Sequence, residues 1–246
     1  VTLDAAFVLL AAGLVAGMMN TLAGGGSLLT LPALVFAGLP ATVANGTNRV
    51  AILLSSLAAT WRFSKEPERA PLPTPLEVGA TATGALVGAL ATLFFDDEAF
   101  RAVIGLVMIV ALPLALKPDL IRPRDASTVP PWLAGLGFFC VGVYGGFIQA
   151  GVGVLLIAAY VGLAGRDLVG ANAGKVAVVA LYTVPALVVF VLADKVVWLP
   201  GLLLAASSMA GSYLGAWWAL RFGDRGVRPV LVVGVLASGG RMLGLW

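Results

Sequence analysis

Two stretches of this 246-residue chain place residues capable of chemistry in surroundings apolar enough for lipid. From Gly17 to Arg49 the sequence reads GMMNTLAGGGSLLTLPALVFAGLPATVANGTNR, and a weaker copy, GVYGGFIQAGVGVLLIAAYVGLAGRDLVGANAGK, runs from Gly142 to Lys175. Asn, Arg and Lys at bilayer depth need partners and mark a functional site. Anion binding is the chemistry this mixture offers. Gly24, Gly25 and Gly26 precede an apolar limb beginning near Ser27, and a glycine turn at such a place aims backbone N–H groups along the positive end of a helix dipole. Gly151 and Gly153 form the corresponding turn of the second stretch. Asn20, Thr21 and Ser27 could add neutral donors, and Asn45, Asn48, Gln149 and Asn172 could orient the oxygens of an anion.

Arg49 is the main charge expected there, since about 18 Å of helix separates it from the boundary marked by Trp61 and Arg62. Lys175 is its counterpart. Blander roles compete with these. Glycines also permit close helix packing, long basic side chains snorkel, and Asn45, Asn48 and Asn172 could cap helix starts.

Missing residue types narrow the chemistry. Every Asp and Glu falls at the end of an apolar segment or in a loop, so no embedded carboxylate balances Arg49 or Lys175. Two buried cations without such partners predict an anionic ligand. The chain has no His and a single cysteine, Cys140, which is expected to be a small buried packing residue. That composition speaks against a transition metal, and no cofactor fingerprint or nucleophile with a base occurs, so neither a cofactor nor an enzymatic activity is expected.

The elements holding these residues are read from hydropathy. Hydrophobic residues make up 60% of the chain, charged residues 11%, and mean hydropathy is +1.02. An ordinary soluble domain is about a quarter charged. The chain is therefore an all-α polytopic membrane protein with the bilayer as partner. Its basic residues lie in loops, where topology requires them, and no nucleic-acid surface is expected.

Apolar segments fall at 4–22, 26–37, 43–61, 78–95 and 99–116, then at 131–148, 154–164, 170–193, 197–220 and 228–246. Residues 1–116 thus form a first membrane repeat, 117–130 a cytoplasmic linker and 131–246 a second repeat. Laying Asn48–Ala51 on Gly174–Ala177 puts Arg49 over Lys175 and Gly25 over Gly151, with one residue of slippage needed for other glycines. The segments 26–37 and 154–164 are too short to cross a core of about 30 Å. Each is expected to be one limb of a re-entrant or broken glycine-rich hairpin, with its tip near midplane.

Arg62, Lys65, Arg69, Lys117, Arg122, Arg124, Arg166, Arg221, Arg225 and Arg228 lie in one set of loops, against Arg101 and Lys195 in the other. The first set should be cytoplasmic, which puts both termini outside and makes the second repeat inverted relative to the first. Inverted repeats are a transporter architecture. Trp61, Trp132, Trp198 and Trp246 would be interface anchors.

The first stretch, GGGSLLTLPALVFAGLPATVANGTNRVAILLSSLAATWRF, resembles the first repeat signature of the TauE/SafE sulfite exporter family, and GGFIQAGVGVLLIAAYVGLAGRDLVGANAGKVA is similar to its second. The resemblance implies an inner-membrane permease moving sulfite, organosulfonates or related anions, usually outward. The family's glycine signature falls on Gly24, Gly25 and Gly26, and more loosely on Gly151 and Gly153. The expectation is a multi-pass secondary transporter of the cytoplasmic membrane that carries a small sulfur oxyanion, with a homodimer compatible with it. The alternative is a membrane scaffold or subunit whose Gly, Asn and Arg residues only hold helices together.

Overall fold

The computed structural model describes residues 3–68, 70–100 and 129–242. Most of the expected segment 99–116, most of the 117–130 linker, and Arg69, Arg101, Lys117, Arg122, Arg124 and Trp246 lie outside these residues. Eight helical elements follow one another among the described residues, which contain no strand: α1 (Leu3–Leu22), α2 (Ser27–Phe36), α3 (Ala41–Phe63), α4 (Pro75–Thr92), α5 (Pro131–Phe147), α6 (Val152–Gly162), α7 (Leu168–Leu192) and α8 (Trp198–Met242).

Local sequence sets these boundaries. Thr74 caps α4 in a reciprocal box, its hydroxyl accepting from the Glu77 N–H while Glu77 Oε2 accepts from the Thr74 N–H, and Pro75 opens the helix. Asp167 caps α7 by accepting from Gly170 N–H at 2.8 Å. Breaks follow α1 and α5, where Gly24 and Gly151 adopt φ of +77° and +71°, a left-handed conformation that an L side chain resists. The short segments expected at 26–37 and 154–164 are the helices α2 and α6, of 10 and 11 residues. Within α8 the regular backbone is interrupted at Gly223 (φ 58°, ψ −156°), between the segments expected at 197–220 and 228–246.

The distribution of side chains is that of a protein in lipid. Leu14, Val15, Leu57, Val87, Leu136, Val184 and Val188 face outward, whereas α3 buries Asn45, Thr47, Asn48, Arg49, Ser55 and Ser56. Cys140 is exposed among the outward residues of α5, against the expectation of burial. Its neighbours on the inner face are glycines packed onto α4, which leaves position 140 on the opposite side.

Small residues let two helix pairs touch through their backbones. A Cβ on Gly84 or Gly88 of α4 would meet backbone at Phe139 or Val143 of α5, and one on Gly142 or Gly146 would meet Thr81 or Ala85. Gly13, Gly17 and Gly211 make the same approach between α1 and α8. In both seams residue numbers rise together, so α4 and α5 run parallel, as do α1 and α8. Such close seams allow the van der Waals contact that drives helix association in a bilayer.

One end of the bundle gathers Phe63, Ala70, Val169 and Val227 into an apolar cluster. At the other end Thr42 N–H donates to Asp97 Oδ1 at 2.9 Å and Val197 N–H to Thr47 Oγ1 at 3.0 Å. It follows that α1 starts at the Thr42 end and α5 at the Phe63 end.

Candidate functional site

Each glycine break presents the C-terminal carbonyls of the helix before it, and a cation from the other half of the chain reaches them. Arg49 on α3 donates from Nη1 to Gly145 O at 3.3 Å and to Gln149 Oε1 at 2.9 Å, and from Nη2 to Gly146 O. Asn45, one turn earlier, donates to Phe147 O at 3.0 Å. At the other break Lys175 Nζ donates to Asn20 O at 2.7 Å, to Thr21 O at 2.8 Å and to Asn172 Oδ1 at 2.7 Å, while Asn172 Nδ2 reaches Leu22 O at 3.4 Å. Among the described residues the partners of these cations contain no carboxylate. A helix C-terminus carries a partial negative charge of about half an electron, so each cation stands where the backbone favours it.

The remaining first contacts complete the environment of Arg49. Gln149 Nε2 donates to Tyr182 Oη at 3.0 Å, and the guanidinium carbon lies 4.5 Å from the centroid of the Phe190 ring. Thr92 of α4 adds a bond from its hydroxyl to Phe147 O at 3.2 Å. Tyr182, Phe190 and Thr92 were not singled out by sequence. Tyr182 stands seven residues after Lys175, two turns along one helix face, which is the signal that could have found it.

The two breaks also meet. A Cβ on Gly24 would collide with the backbone of Gly153, and one on Gly153 with that of Gly24. Gly24 N–H is occupied in closing α1, donating to Met19 O at 3.0 Å and Asn20 O at 3.1 Å. Gly25, Gly26 and Ser27 are buried between the end of α1 and the start of α2, and Gly151 stands at the start of α6. Asn20 is half-buried and contributes its carbonyl, as does the fully buried Thr21, whose hydroxyl has no partner. Asn45 and Asn172 lie inside helices and bond to the opposite break, so they are not caps of their own helix starts. Both amide atoms of Asn48, Asn45 Oδ1 and Arg49 Nε are buried without a partner.

Thirteen of the fourteen residues singled out in sequence therefore lie at the two breaks or bond to them, and the fourteenth, Asn48, stands on α3 between Asn45 and Arg49. Among the described residues no cluster of His, Cys, Asp and Glu suited to a metal ion occurs.

A helical bundle with an apolar exterior, small-residue seams and buried cations on broken helices is a polytopic membrane protein of transporter type. Residues 9–242 match the family described as Sulfite exporter TauE/SafE, and the chain belongs to that family. It is 30% identical over 249 residues to the Probable membrane transporter protein ORF9 of a Sinorhizobium species, covering 98% of this chain and 94% of that protein. The Probable membrane transporter protein YfcA of Escherichia coli is 30% identical over 92% of this chain and 85% of its own length. A Probable membrane transporter protein of Haemophilus influenzae is 27% identical over 94% and 91%. No solved structure matches the chain. These relationships make it a membrane transporter.

Proposed function

We propose that the chain is a secondary permease that carries a small sulfur oxyanion, sulfite or an organosulfonate, outward across the cytoplasmic membrane. The observation that carries this reading is the exchange of cations between halves, with Arg49 on the break after α5 and Lys175 on the break after α1. The repeated arrangement, and the opposite starting ends of α1 and α5, support two inverted repeats with the breaks near midplane. The family description names sulfite, and that name supports the choice of substrate.

In this reading the anion competes with helix carbonyls for the two cations. Arg49 offers Nε directly and its charge through space, and Lys175 acts through its charge while its three bonds hold. Gly25, Gly26 and Ser27 lie at the positive end of α2, where an oxyanion is stabilised. Movement of either break would loosen a cation from its carbonyls and strengthen its pull on the anion. An inside-negative potential drives anion exit by about 2.3 kcal/mol per charge per 100 mV, so export needs no separate coupling residue.

The test is sulfite-dependent thermal stabilisation of the detergent-purified chain at equal ionic strength, with sulfate and chloride as controls, followed by flux in proteoliposomes. Wild type should give a saturable shift and a voltage-dependent sulfite flux, and Arg49→Gln and Lys175→Gln should lose both while remaining monodisperse. Absence of any shift or flux with sulfite and methanesulfonate would remove this substrate class.

A further inference from the structure

Four unpartnered atoms on one face of α3 define what the bound anion must offer. They are Nδ2 and Oδ1 of Asn48, Oδ1 of Asn45 and Nε of Arg49, and all three residues are 0% exposed. Positions 45, 48 and 49 span about 100° of a helix and about 6 Å of rise. The set is mixed. Asn48 Nδ2 and Arg49 Nε donate, whereas the two Asn oxygens only accept. The orientation of Asn45 is fixed by its amide, which donates to the Phe147 carbonyl; turning it over would set two oxygens against each other.

A fully deprotonated oxyanion presents acceptors alone. It would satisfy the donors and leave two buried oxygens unpaired, an arrangement proteins avoid because each such atom loses its hydration without compensation. An anion with its own O–H beside its charged oxygens answers both kinds of atom, pairing the donors and one of the two Asn oxygens. Resting on the permease reading above, we infer that Asn45, Asn48 and Arg49 select a monoanion bearing a hydrogen-bond donor, with hydrogensulfite as the simplest example, over dianions and over sulfonates that lack a donor. Asn48 is the specificity-determining residue, because it supplies one atom of each kind.

The experiment is titration of the detergent-purified full chain with sulfite on both sides of its second ionisation, with methanesulfonate as a monoanion without a donor and sulfate as a dianion. The apparent Kd for total sulfite should rise about tenfold per pH unit above that ionisation. Methanesulfonate should bind at least about tenfold more weakly than hydrogensulfite and without that pH dependence. The chain contains no His, so no protein side chain with an ordinary near-neutral pKa confuses the profile, and methanesulfonate controls for shifted groups. Asn48→Ala should bring hydrogensulfite and methanesulfonate to nearly equal affinity. The wild-type comparison decides the matter if that variant does not fold. Equal affinity for sulfite across its ionisation, or methanesulfonate binding as tightly, overturns the donor requirement and leaves the anion reading standing. No binding by any probe overturns the anion reading and this inference together.

Discussion

At the scale of residues, the buried cations are held, among the described residues, by backbone carbonyls and side-chain amides. Lys175 satisfies the carbonyl of Thr21 and shares that of Asn20 with the Gly24 N–H, and Arg49 satisfies those of Gly145 and Gly146. A carbonyl left buried without a partner costs about 1–3 kcal/mol. Lys175→Met should therefore lower the melting temperature in detergent clearly even without ligand. Arg62→Met removes the half-buried 3.4 Å pair with Glu66 at the helix surface, worth about 0–1 kcal/mol, and should leave the melting temperature almost unchanged. Equal melting temperatures for the two variants would mean that the Lys175 bonds do not hold α1. Arg49→Lys is not conservative here, because a single ammonium cannot reproduce the fork that reaches two carbonyls and Gln149.

At the scale of elements, the two glycine turns separate conformational need from contact. Gly24 and Gly38 both have positive φ, +77° and +93°, yet a Cβ on Gly24 would strike the Gly153 backbone whereas one on Gly38 meets nothing. Gly38→Ala should cost about 1 kcal/mol of backbone strain and leave transport intact. Gly24→Ala adds a clash between two backbones that cannot both stay in place, and should abolish flux or prevent accumulation of folded protein. Measuring both variants by flux and by recovery of monodisperse protein checks the difference. A Gly24→Ala protein with wild-type flux would show that the contact between breaks is dispensable. At the start of α4, Glu77 is tied to Arg166 Nη2 at 2.9 Å, and Arg166 also donates to the carbonyls of Pro71 and Leu72, so the connection between α6 and α7 is clasped to the other half of the chain.

At the scale of the molecule, charge and packing give the bundle two distinct ends. Arg62, Lys65 and Arg166 belong to the end that gathers Phe63, Ala70 and Val169, while Lys195 lies at the end of Thr42 and Asp97. Under the positive-inside rule the first end is proposed to be the cytoplasmic one. With Cys140 replaced by Ser, Lys65→Cys should react with a membrane-impermeant maleimide only after permeabilisation, and Lys195→Cys should react in intact cells. The reverse pattern would invert the orientation and the direction of proposed export. Trp61 and Trp132 at one end and Trp198 at the other are exposed, which suits anchors at two interfaces.

Hydropathy alone determined that this is a helical membrane protein, because the cost of placing polar backbone in lipid leaves long apolar segments a single solution. Segment order, the shortness of α2 and α6, and the positions of Gly24, Gly151, Arg49 and Lys175 in two matching stretches were legible for the same reason: glycines and cations are conspicuous in such a background. What only the tertiary structure decided is which groups meet. Sequence found no carboxylate for Arg49 and Lys175 and so left both cations unpaired, because backbone carbonyls carry no signature in a list of side chains. Folding brings the end of α5 to Arg49 and the end of α1 to Lys175, across about a hundred residues or more in each case. Cys140 went astray through the same gap, since an apolar run gives no indication of which face meets α4 and which meets lipid. The partnerships of a buried charge are set by where helices stop and cross, and that is a property of the packed chain.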